Sequence, residues 1–313
     1  MENILTGVMA ISIQAGSVMI IAALGELLGQ LSGLFNMGLE GTMTLGAVAA
    51  FIVVGLVPDP YVGLVAGILV GLIMGLLLAV TVVTFNANQL VAGFAIAFLA
   101  GGAAKQIGAP YAGRPLDVHF QPVSIPILSD IPILGQALFH QDVLVYFAYL
   151  ALPMMISFLV FRSRLGIGIR ACGENPGAAD SSGVSVPRTR YLCAMFAGAM
   201  AGLSGAYLVL AFAPTWYDGV TGGKGWIAVA LVMFSRWRPS ILVLGALFFG
   251  ITTSLGYVAQ VIGLGAYANF LNMLPYVCTI ALITVPSLLT KSGQQRAGRF
   301  PAALGRPYLK EED

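Results

Sequence analysis

Charge is what this chain has least of. Asp, Glu, Lys and Arg make up 9% of its 313 residues, against about a quarter in soluble domains. No Lys or Arg occurs before residue 105. Together with 58% hydrophobic residues and a mean hydropathy of +0.91, this excludes a water-soluble globule. His119 and His140 fall in one segment with no metal-ligand spacing around them, so neither points to a metal centre. Cys172, Cys193 and Cys278 are scattered with neither metal nor redox spacing and read as structural or inert. Met1-Glu2-Asn3 lacks a basic n-region, so the first apolar segment is expected to stay in the mature protein.

What is there instead is a series of apolar runs, each near the ~20 residues a membrane span needs. They predict an all-α polytopic membrane protein of nine spans, near 4–24, 38–56, 61–85, 88–107, 142–161, 191–212, 218–235, 239–258 and 265–288. The basic residues are unevenly spread: five in 162–190, two at Arg236 and Arg238, five from Lys291 to Lys310. The positive-inside rule sets these loops in the cytoplasm. An odd number of spans then leaves the N-terminus outside and the C-terminus inside. The expected organisation is a transmembrane domain over 1–290, with an external loop at 108–141 and a cytoplasmic loop at 162–190. A polar, mobile cytoplasmic tail follows at 291–313.

Two places interrupt the apolar pattern in similar ways. One is Gly33 to Gly41, the other Pro214 to Gly225, which is followed by the nine apolar residues Trp226 to Phe234. Nine residues are too few to span and suit a half-helix. Irregular backbone at membrane depth persists where protein or water satisfies it, and paired Gly-interrupted segments point to a transporter's binding site. Two structural repeats, roughly 1–107 and 142–288, are expected on that ground. Glu40 beside the first break suits either of two roles, bonding the broken backbone around Asn36 or touching a solute. Trp216 and Tyr217 read as interfacial anchors, and Trp226 as a cavity residue. The small residues Gly198, Gly202 and Ala206 share a helical face and predict close packing within the bundle.

The longest polar interval, 161–191, has its own local logic. Asn175 can cap a helix, Pro176 suits its first position, and Gly183 can end it. Such a helix is too short to hold alone in water, so it needs a surface to dock on. A basic connecting loop and a docking element both fit these residues. Gly222-Gly223-Lys224-Gly225 superficially resembles a phosphate loop but lacks the Ser or Thr after Lys, so ATP has no site here. No nucleophile–base or metal set marks an enzyme.

Arg170-Ala171-Cys172-Gly173-Glu174-Asn175-Pro176, with Ala178, Asp180 and Gly183, resembles the coupling loop of permease subunits of bacterial ABC importers. Asn36-Met37-Gly38-Leu39-Glu40-Gly41, Asn88 to Gly93, and Gly223 to Leu231 are similar to motifs of the nucleoside branch, within the ribose and simple-sugar permeases. The likeness runs over about 10–290 and departs at Ala97, where an Asn is frequent in that branch. Ribose-type members often carry one further span before the first one here, which this chain is expected to lack. The resemblance implies that Arg170, Gly173, Glu174, Asn175, Pro176, Ala178, Asp180 and Gly183 engage ATPase subunits, which bind ATP and Mg in place of any cofactor in this chain. It implies a second permease subunit, identical or homologous, an external solute-binding protein, and a place in the bacterial inner (plasma) membrane, with no nucleic-acid partner. Asn36, Glu40, Gln89, Phe94, Phe98, Asp218, Lys224 and Trp226 are the candidates for the solute pathway. The cargo expected is a small neutral solute, a nucleoside first and a simple sugar second. An ion-coupled secondary transporter is the rival from another class. Its usual ionisable relays are missing from the interiors of spans three, five, six, eight and nine.

Overall fold

The structure, a computed structural model, describes residues 2–126, 129, 131, 134–261, 270–271, 273–289 and 300–308. In chain order it runs α1 (Glu2–Leu31), α2 (Leu39–Leu56), α3 (Pro60–Ala79, extended by a π turn, Val80–Thr84) and α4 (Gln89–Gly108). A small outer element follows, in which β1 (Val123–Ser124) pairs antiparallel with β2 (His140–Gln141) around α5 (Leu134–Phe139). Next come α6 (Val143–Tyr146), joined through a π turn to α7 (Leu152–Arg162), then α8 (Arg164–Glu174) and α9 (Pro176–Ser181). The remainder is α10 (Val186–Tyr207, then a π turn to Phe212), α11 (Lys224–Phe234), α12 (Pro239–Val261) and α13 (Leu274–Leu289).

Seven helices among the described residues are long and apolar enough to cross a membrane. The expected seventh span is instead α11, of 11 residues, entered through turns from Asp218 to Gly223. The expected ninth is described chiefly as the 16 residues of α13, and its start at 265–269 lies outside the described residues.

Local chemistry fixes several boundaries. Asp59 accepts the Tyr61 N–H ahead of Pro60, Asn88 caps α4 through the Leu90 and Val91 N–H groups, and Asp142 caps α6. The buried centre is α10. A Cβ on Gly202 would lie 2.0 Å from the Gly67 carbonyl oxygen, and one on Gly71 would lie 2.1 Å from that of Gly198. The backbones of α3 and α10 therefore touch, which is how helices associate where no hydrophobic drive separates side chain from lipid. The face of small residues predicted on α10 is spent inside the bundle.

The basic loops gather at one end. Gly173 packs on Leu31, Arg190 reaches Ser32, and the Trp237 indole donates to Gln30. The opposite end joins Gly113 to Trp216, Leu116 to Pro214 and Phe120 to Leu210. In chain order each break is followed by helices: α1, a break, α2, α3, α4, and α10, a break, α11, α12, α13.

Two expectations are corrected here. Trp216 is 1% exposed and lies against Gly108, so it is a core residue and not an interfacial anchor. Residues 300–308 dock onto the basic end, with Ala303 buried, where a loose tail was expected. Residues 290–299 and 309–313, with Lys291 and Lys310, lie outside the described residues.

Candidate functional site: two helix breaks and a coupling platform

The N-termini of α2 and α11 meet head to head, and Glu40 joins them. One carboxylate oxygen accepts the Thr221 hydroxyl at 2.6 Å and the Gly223 N–H at 2.7 Å. The other accepts the Gly225 N–H at 2.6 Å. A carboxylate placed on the first-turn N–H groups of a helix satisfies orphan donors and meets the positive end of its dipole. The backbone approach demands glycine. Gly222 and Gly223 hold φ of +55° and +79°, and a Cβ on Gly225 would stand 2.6 Å from the Glu40 backbone.

Beside this knot lies a cavity of about 320 Å³, lined by Tyr217, Gly222, Lys224, Thr253 and Tyr276 among others. Tyr276 donates to the Gly222 carbonyl at 2.7 Å. The Lys224 ammonium, on a residue 9% exposed, donates to the Thr221 carbonyl at 3.2 Å. Among the described residues that line it are two tyrosines, one threonine and one lysine, and no carboxylate.

The first break, Ser32 to Gly38, is held by side chains from three helices. Glu26, fully buried, accepts from Gln30 at 3.1 Å and from the Asn36 N–H at 3.3 Å. Asn36 accepts the Gly38 N–H through its own side chain, and Gln89 accepts the Phe35 N–H at 2.7 Å. Arg190 donates to the Ser32 carbonyl at 3.2 Å.

The candidates for the solute pathway therefore scatter. Lys224 lines the cavity. Glu40 stands behind it as the tie between breaks, and its partners are in the second break, not around Asn36. Asn36 and Gln89 serve the first break. Phe94 and Phe98 stack on each other at 6.4 Å along α4, with Phe98 turned outward. Asp218 pairs with Lys105 at 2.8 Å at the far end. Trp226, 40% exposed, is not among the residues lining this cavity. Sequence reasoning missed Thr221, Thr253 and Tyr276, and it missed Glu26, which sits just past the predicted end of the first span. The hydroxyl residues carry no spacing signal, whereas a carboxylate two turns from a Gly break could have been weighed.

At the basic end the polar interval folds as two helices. Asn175 caps α9 through the Ala178 N–H at 3.1 Å, Pro176 takes the first position, and Gly183 at φ +84° follows its end. The preceding α8, Arg164–Glu174, was not anticipated within the polar interval. Gly166 is needed there, since a Cβ would lie 2.1 Å from the Leu159 carbonyl. Glu174, Asn175, Ala178 and Gly183 are exposed, Pro176 and Asp180 are half-buried, and Ala179 turns inward onto Cys172 and Val186. Gly173 is buried against Leu31, and Arg170 lies over the Phe161 ring at 5.6 Å. Burial pushes the Cys172 thiol up, away from a reactive thiolate.

The family model described as branched-chain amino acid transport system / permease component matches residues 8–283. A putative glucose ABC transporter permease protein of Haloferax volcanii is 34% identical over 98% of each chain. A guanosine ABC transporter permease protein of Bacillus subtilis is 31% identical over 93% of each. A nucleoside ABC transporter permease protein of Lactococcus lactis is 29% identical over 85% of this chain and 88% of that one. No solved structure matches.

Proposed function

From the premise that this chain belongs to the permease-component family of branched-chain amino acid transport systems, we propose that its cargo is a nucleoside. The chain is a multi-pass plasma-membrane protein, the permease subunit of an ATP-driven importer for nucleosides or sugars. It hydrolyses nothing itself, and ATPase and substrate-binding partners complete the importer. The observation that carries the nucleoside reading is the cavity beside the Glu40 knot. Two tyrosines line it together with Lys224 and Thr253, a mix of aromatic and hydrogen-bonding side chains suited to a ligand with a planar part. Its size lies at the lower end of the ~300–1,000 Å³ usual for small-molecule sites. A simple sugar is the second reading, supported by the name of the Haloferax relative.

The basic end faces the cytoplasm in this reading, which the gathering of the arginine-bearing loops there supports. The exposed Glu174 at the end of α8, with the cap Asn175 and Ala178 of α9, meets the ATPases, and Gly173 passes its displacement to the end of α1. The second permease copy, identical or homologous, completes the pathway, and the binding protein delivers solute at the end formed by 108–141 and 213–222. ATP and Mg stay on the ATPases. Uptake by the complex in vesicles tests the cargo. Labelled nucleoside should accumulate with ATP and compete poorly with glucose. Accumulation of glucose but not nucleoside overturns the reading.

A further inference from the structure

Residues 300–308 join parts of the molecule that are otherwise far apart in sequence. The Ala303 N–H donates to the Gly173 carbonyl at 2.8 Å, which ties the segment to the end of α8. Two residues on, the Gly305 N–H donates to the Gly33 carbonyl at 3.1 Å, inside the first break. The Arg306 carbonyl accepts from Arg190 at 3.1 Å and from Gln89 at 3.4 Å, the two side chains that also hold Ser32 and Phe35. Phe300 meets Trp237 edge to face at 5.1 Å, just past the end of α11, and Tyr308 packs with Cys172, Ala179 and Val186 under α9. One short segment thus touches the coupling platform, the first break, the start of α4 and the exit of α11.

We propose that residues 300–308 are a positioning strap of the transport cycle, which makes the coupling helices and the first break move as one body. The physical ground is that a displacement of α8 and α9 stretches bonds to Gly33 and Arg306 unless the break follows. Connected packing and hydrogen-bond networks of this kind carry coupling energy between sites. A segment that merely rested on the surface would have no reason to bond Gly173 and Gly33 within three residues. The strap rests on the reading of α9 as the ATPase contact.

The test uses the whole importer in vesicles, with ATPases and binding protein, and reads ATP hydrolysed per solute accumulated. Phe300→Ala removes the contact with Trp237, Ala303→Pro removes the N–H given to Gly173, and Phe300→Tyr preserves the ring. The two disrupting variants should raise the ratio by roughly fivefold while the complex stays assembled, and Phe300→Tyr should leave it unchanged. A ratio that stays at the parent value, whether uptake is normal or falls in step with hydrolysis, overturns the strap. Ala178→Arg separates the two readings. If it leaves the ATPases bound, the coupling reading fails and takes the strap with it. If it releases them while the Phe300 and Ala303 variants keep the parent ratio, the strap alone fails. Should Ala303→Pro not assemble, the exposed Phe300→Ala gives the answer.

Discussion

Replacing Glu40 is the sharpest probe of the knot between the two breaks. Its carboxylate takes three charge-assisted hydrogen bonds, at 2.6, 2.7 and 2.6 Å. Each bond of this kind contributes about 1.5–3 kcal/mol, and the α11 N-terminus adds roughly 0.3–1 kcal/mol for a negative charge. The three share one group, so they do not sum, and Glu40 is only half-buried, so water takes over part of the loss. Glu40→Ala is expected to cost about 4 kcal/mol on that reckoning. Glu40→Gln keeps one acceptor and sets an amide N–H against the N–H of Gly223 or Gly225, for a cost of about 2–3 kcal/mol. Thermal unfolding in nanodiscs reads the cost. A cycle with Thr221→Val should return a coupling of about 1–2 kcal/mol between the two side chains. Because Glu40 does not line the cavity, Glu40→Gln should lower maximal uptake and leave the apparent affinity for solute near its parent value. A variant that melts like the parent but binds solute tenfold more weakly would show Glu40 touching cargo, and the reasoning would be refuted.

Lys224→Met empties the cavity of its ammonium and should raise the KM for uptake while the complex assembles at parent levels, read by initial uptake rates. Asn175→Ala removes the cap of α9 and should weaken the helix by about 0.5–2 kcal/mol, seen as faster amide exchange over 176–182 and weaker retention of the ATPases. Gly202→Ala drives a Cβ to 2.0 Å from the Gly67 carbonyl and should cost about 1–3 kcal/mol through overpacking, measured as a lower unfolding midpoint. Asp142, 3% exposed, accepts the Leu144 and Val145 N–H groups and the Tyr207 hydroxyl. Asp142→Ala should cost about 1–3 kcal/mol, read as a lower unfolding midpoint, and a parent-like midpoint would contradict this.

The elements legible in sequence were those whose cause is local. The length of an apolar run marks a span, so the helices before residue 110 and α10 stand close to where they were expected. Cap chemistry marks an end, which is why Asn175, Pro176 and Gly183 bound α9 as read. Both breaks were visible as glycine runs beside polar residues. What failed was any statement about who faces whom. Trp216 looked like an anchor because it ends a span, and it is buried because Gly108 leaves room for an indole. The 164–174 stretch was read only as part of a polar interval, and it forms a helix capped by Ser163 whose Gly166 lies against the Leu159 carbonyl.

The sequence by itself determined that this is a helical membrane protein with two interrupted segments, a basic end and a short capped helix between its halves. Those properties follow from hydrophobic length, charge placement and turn residues, each readable within a few neighbours. Only the tertiary structure decided that Glu40 binds donors 181 to 185 residues away, that Glu26 stands behind Asn36, and that residues 300–308 fasten the platform to the first break. A hydrogen bond needs its partner within about 3 Å, and which groups come that close is set by the packing of the whole bundle, which no local window contains.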